Sequence, residues 1–146
     1  MAEPTESTIV EDHRLLNESL GLVAPRSSEL IAAFYDKLFT DHPGVRQMFP
    51  EEMEPQREKL LKAIIALVTN YDSPDQLAPA LTSMGRNHAK YGALPAHFDA
   101  VGATLLATLR DFAGEAWTPE YEGAWTRAYT AAAGAMMAAG AEAQSN

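Results

Sequence analysis

Apolar residues recur along this chain at three- and four-residue intervals, and no segment sustains the alternation of a half-buried strand. Thr8-Ile9-Val10-Glu11 has the form of a capping box and predicts a first helix over about 9–21. Pro25 with Ser27 and Ser28 opens a second, striped by Leu30, Phe34 and Leu38 with Ile31 and Tyr35 beside them. Pro43 breaks that helix, and a short helical turn leads to Phe49. The acidic stretch PEEMEP precedes a third helix with Leu60, Leu61, Ile64, Val68 and Tyr71 on one broad face. Ser73-Pro74-Asp75-Gln76 is another capping box, with proline at the first helical position, and starts a helix that ends near His88. Gly92 and Pro95 separate it from a fifth, carrying Phe98, Val101, Leu105, Leu109 and Phe112. Thr118-Pro119 opens the last, with Tyr121, Trp125, Ala128, Ala132 and Met136 on one side. The pattern predicts one all-α domain over residues 1–146, six or seven helices joined by short turns, with tails at 1–8 and 141–146.

Composition narrows the partners more than the fold. A length of 146 residues suits one domain with a sizeable core. A net charge of −9 argues against nucleic acid, which needs clustered cations. The absence of cysteine excludes disulfides, thiolate metal sites and thioether attachment of a cofactor. The start, MAEPTESTIVEDH, shows no basic segment leading into an apolar run, so a secretory signal is not expected and a cytoplasmic location is. The alanine-rich YTAAAGAMMAAGAEA is mild in hydropathy and interrupted by Gly134 and Gly140, which reads as a helix of small side chains and not a membrane span. Ala131, Ala135 and Ala139 are expected to be exposed there, either solvated or packed against a second copy.

The candidate chemistry centres on LTSMGRNHAKYGALP, residues 81–95. Leu77, Leu81 and Met84 share a helical face, and His88 falls on the same face about three turns beyond Leu77. Two readings follow: a hydrogen-bonded core histidine, or a ligand to a metal or cofactor. His13, His42 and His97 sit in polar or proline-flanked settings and read as solvated. There is no glycine-rich phosphate loop, no His-Glu-x-x-His and no Gly-x-Ser-x-Gly elbow.

The runs AAFYDKLFTDHPGVRQMFP, PQREKLLKAI, NHAKYGALPAHFDAVGATLLATL and AWTRAYTAAAGAMM occur in that order. Together they resemble the globin domain of bacterial flavohaemoglobins and the single-domain bacterial haemoglobins, over roughly residues 9–138. The resemblance implies a globin fold around a non-covalent haem b, with His88 as the proximal ligand of the iron. It makes Phe49 the aromatic that wedges against the porphyrin, with Pro43 supplying the bend that turns it inward. Phe34, Leu60, Met84, Phe98, Val101 and Leu105 would complete an apolar pocket. On the distal side it places Tyr35 and Gln56: dioxygen on ferrous iron carries partial negative charge, which a phenol donor stabilises, and Gln56 adds a second donor directly or through Tyr35. The loop between Phe49 and Gln56 is short for the family, which would carry Gln56 away from the iron.

Two departures stand out. Flavohaemoglobins support the proximal histidine with a tyrosine and a glutamate, and the matching positions here hold Phe98 and Gly140. Glu142 falls on another helical face, so His88 is expected to bond a backbone carbonyl near Met84, with a weaker push on the iron. The flavin and nicotinamide domains are also expected to be absent. The resemblance therefore implies reversible binding of dioxygen, with nitric oxide and carbon monoxide as further ligands. Its alternatives are a nitric oxide dioxygenase served by a separate reductase, with peroxidase-like side activity, and a gas sensor acting through a partner. A haem-free helical module is weighed against by His88. A homodimer is compatible with the sequence, and Lys90 is a propionate partner by position only.

Overall fold

The computed structural model describes residues 6–90 and 92–145, with side chains from 8 to 141 apart from residue 91. Six helices follow one another: α1 (Glu6–Val23), α2 (Ser27–Asp41), α3 (Glu54–Thr69), α4 (Pro74–Lys90), α5 (Pro95–Ala113) and α6 (Pro119–Ser145). Short 3-10 turns at Ala24–Arg26, Pro43–Met48 and Gly114–Ala116 join them, and the described residues contain no strand. The all-α architecture is as expected, and its breaks fall at prolines, although Pro79 lies inside α4.

Two ends differ from expectation. Thr8 lies within α1, which is described from Glu6, so the capping-box pattern does not mark the cap. α6 continues to Ser145, through the residues expected to form a tail from 141.

The core is centred on Trp125, which is 1% exposed, with Leu16, Ile31, Phe34, Leu38 and Leu109 closing around it. Its indole N–H donates to Ser19 Oγ at 2.7 Å, and that hydroxyl donates to the Leu15 carbonyl at 2.7 Å. The large ring is thus buried with its one polar atom satisfied. Ala124 and Ala128, both fully buried, let α6 approach closely on the same side.

Asp12 ties α1 to α6. Its carboxylate is 2% exposed and accepts two hydrogen bonds from Arg127, at 2.8 and 2.7 Å. Arg127 is half-exposed, so removing its partner strands a guanidinium that water can still reach. Asp12→Ala is accordingly expected to cost about 2 kcal/mol, the scale of a charge-assisted hydrogen bond, read as a lower urea midpoint with unchanged m-value.

The position of His88 follows from how α4 stops. Gly92 adopts φ +80°, a left-handed conformation that glycine accepts without strain. Its N–H bonds the Ala89 carbonyl at 3.1 Å, and Ala93 N–H bonds the His88 carbonyl at 3.1 Å. His88 therefore sits in the last turn of the helix. The chain then enters α5 through Leu94, whose N–H donates to His97 Nδ1 at 2.8 Å. His97, expected as a solvated side chain, instead caps α5.

α4 packs chiefly along α6. Ala131 and Ala135 are exposed as expected, but Ala139 is buried, beside Gly140 where α6 meets α4.

Candidate functional site

His88 is exposed, which removes the core-histidine reading. Its Nδ1 lies 2.6 Å from the Met84 carbonyl oxygen, one turn back on the same helix. A carbonyl only accepts, so Nδ1 carries a proton, and in the neutral ring the lone pair is on Nε2. This is the backbone partner expected from the Phe98 and Gly140 departures. A contact of this kind fixes the tautomer and orientation of an imidazole that ligates a metal. Beside it stands Phe98, buried, with ring centroids 5.9 Å apart and planes tilted by 35°. The Phe98 carbonyl accepts the Tyr129 hydroxyl at 2.5 Å, which pins α5 to α6 just behind the imidazole. Gly140 approaches α4 at backbone distance, while the side chain of Glu142 lies outside the described residues.

A second group of the residues singled out in the sequence lies on α2 and α3. Tyr35 is 3% exposed, and its hydroxyl accepts a hydrogen bond from Gln56 Nε2 at 3.2 Å. The short loop after Phe49 therefore does not separate Gln56 from Tyr35. Burial pushes the phenol above its ordinary value, while the Gln56 bond and the Arg57 charge pull the other way. Because the oxygen is the acceptor in this pair, the phenol hydrogen is left to donate elsewhere.

Phe49 closes an aromatic cluster. Its ring stands edge-on to Tyr35 at 5.7 Å and to Phe39 at 5.4 Å. Phe34 packs edge-on against the other side of Tyr35 at 5.0 Å. Phe34 and Leu105 are buried in the main core, and Leu60, Val101 and Phe49 are half-buried against it. Met84 is half-buried on α4 and Lys90 is exposed. α5 carries Phe98 beside His88 and Leu105 in the core that holds Tyr35.

Several contributors went unread in the sequence. Arg46 donates to the carbonyls of Phe49, Pro50 and Glu51 at 3.3, 3.0 and 3.2 Å, and its guanidinium lies 5.1 Å from the Phe39 ring centroid. It fixes the loop that carries Phe49. Arg57 lines, with Tyr35, Phe39 and Met53, an open cleft of about 490 Å³ on the outer side of the phenol. A basic residue in a proline-led turn was the available signal for Arg46, and adjacency to Gln56 the signal for Arg57.

The donor set suits haem. One tautomerically fixed imidazole stands on an apolar helical face, and a buried phenol–amide pair lies on other helices. Among the described residues, no group of three or more acidic, cysteine or histidine side chains could hold a bare metal ion. None of the described helices is long and apolar enough to cross a membrane.

A globin family profile matches residues 32–136. The chain belongs to the globin family, and membership implies haem binding. It is 29% identical over 126 residues to a flavohaemoprotein of Bacillus subtilis, covering 84% of this chain and 32% of that protein. A flavohaemoprotein of Rhodopirellula baltica is 34% identical over 119 residues, covering 80% of this chain and 29% of the relative. The chain thus spans about a third of the length of these flavohaemoproteins. A globin-like protein of Aquifex aeolicus is 29% identical over 119 residues, with 82% and 84% covered. Among solved structures, a bacterial globin from Campylobacter jejuni shares the fold at TM-score 0.81 and 21% identity, covering 93% of this chain and 99% of that one. An engineered carbene transferase, derived from a proposed nitric oxide dioxygenase of Rhodothermus marinus, matches at TM-score 0.83 and 26% identity, covering 92% and 94%.

Proposed function

We propose that this chain is a single globin domain that holds haem b without covalent bonds through His88 and reversibly binds dioxygen in the cytoplasm. The haem supplies an iron with one position open to a diatomic ligand, nitric oxide and carbon monoxide included. The observation that carries the reading is the hydrogen bond from Gln56 to Tyr35. It orients the phenol and leaves its hydrogen free, so a ligand with partial negative charge gains a donor that needs no reorganisation. Phe49, Leu60 and Val101 keep the surroundings apolar and limit water.

On the other side, His88 Nδ1 is held by a neutral carbonyl and not by a carboxylate. The imidazole then donates less electron density through Nε2 than one backed by an anion. That favours holding a ligand over breaking it. Resonance Raman of the ferrous protein is expected to give an iron–histidine stretch below the peroxidase range. A value within that range contradicts the neutral-carbonyl assignment.

The proposed function is tested by oxygen titration of the hemin-reconstituted, reduced chain. The expected spectrum changes on adding dioxygen and reverts when it is removed. Oxidation to the ferric form on first exposure overturns the binding role. Likeness to flavohaemoproteins favours one second reading, a nitric oxide dioxygenase reduced by a separate protein. Stopped-flow mixing of the oxygenated protein with nitric oxide would show its single-turnover step, and sustained turnover with a reductase would establish it.

A further inference from the structure

We propose that Gly85 and Gly140 are positioning residues for His88, which they place by holding α4 against α6 at a separation that leaves no room for a side chain at Gly85 and little at Gly140. The inference rests on His88 being the haem ligand. Gly85 lies three residues before His88, and a Cβ there would stand 2.7 Å from Met136 Cα and 2.8 Å from the Met136 carbonyl carbon, closer still to its oxygen. These are backbone atoms within α6, which cannot swing aside as a flexible side chain would. Gly140 lies one turn further along α6, and a Cβ there would stand 3.0 Å from Ala89 Cβ and 3.1 Å from the Gly85 carbonyl oxygen. One glycine from each helix thus forms a single seam, and the α4 residues in it, Gly85 and Ala89, bracket His88.

A backbone-to-backbone seam leaves α4 little freedom to roll or slide on α6. The ring of His88 is in turn tied through Nδ1 to Met84, also on α4. Its placement therefore follows the α4 backbone, and the α4 backbone follows the seam. Space elsewhere on α6 is different: a Cβ on Gly134 meets no described atom within 4 Å. Gly134 is a control within the same helix.

The test compares Gly85→Ala, Gly140→Ala and Gly134→Ala with the wild-type chain, each reconstituted with hemin, reduced and examined by resonance Raman. Both seam variants are expected to shift the iron–histidine stretch to lower frequency, Gly85→Ala more because its collision is deeper. Gly134→Ala should superimpose on wild type. A purely structural role for the seam would lower stability without moving this band in the folded, haem-loaded protein. Seam variants that bind hemin and keep the wild-type frequency overturn the proposal. Should Gly85→Ala fail to fold, the milder Gly140→Ala decides by the same criterion. A wild-type chain that takes up no hemin overturns the His88 assignment itself, and the proposal with it.

Discussion

His88→Gly, purified without added imidazole, is expected to lose the five-coordinate Soret signature of the reduced protein. None of the other three histidines is placed to substitute. His13 Nδ1 stands 3.5 Å from an Asp72 carboxylate oxygen on the α1 side, His42 is exposed at the end of α2, and His97 Nδ1 is committed to the Leu94 N–H. Glycine removes the imidazole and opens its place beside Phe98, so exogenous imidazole should restore the band. Rescue separates lost ligation from lost folding, because a misfolded chain would not respond. An unchanged signature without imidazole would show that another group holds the iron.

Tyr35→Phe is expected to raise the dioxygen dissociation rate roughly ten- to a hundredfold, the kinetic equivalent of one hydrogen bond to a charged group, about 1.5–3 kcal/mol. The substitution keeps the ring that packs between Phe34 and Phe49, so the apolar walls should persist. It also leaves the Gln56 amide without its acceptor. Burial holds the phenol above its ordinary value near 10, so its proton is retained through neutral and mildly alkaline solution. The wild-type dissociation rate should accordingly be flat through neutral and mildly alkaline solution and rise only at higher pH than for a free phenol, where the phenolate can no longer donate. Stopped-flow displacement of dioxygen by carbon monoxide measures both effects. Equal rates for wild type and Tyr35→Phe would remove Tyr35 from the distal role.

Most of the fold was legible because its punctuation is chemical. Pro25, Pro43, Pro74, Pro95 and Pro119 each stand at or within a residue or two of an observed boundary, and the stripes between them point inward. Thr8 misled because a capping-box pattern also fits inside a helix, here one described from Glu6. The Met84 partner of His88 was legible once Phe98 and Gly140 were seen in place of hydrogen-bonding residues. His97 was not, since a proline-flanked histidine looks the same in sequence whether it caps a helix or faces water. Gly85 and Ala139 were equally opaque. Gly85 answers to the approach of a helix some fifty residues distant along the chain, and local pattern holds no record of that distance.

The most direct test is titration of hemin into the apo chain, followed by absorption from the Soret band into the visible. Saturable uptake at one hemin per chain is expected, with a ferrous form that shifts on carbon monoxide as a single-histidine haem does. A spectrum of free hemin at every ratio would contradict the assignment of His88, Tyr35 and Gln56 to a haem site.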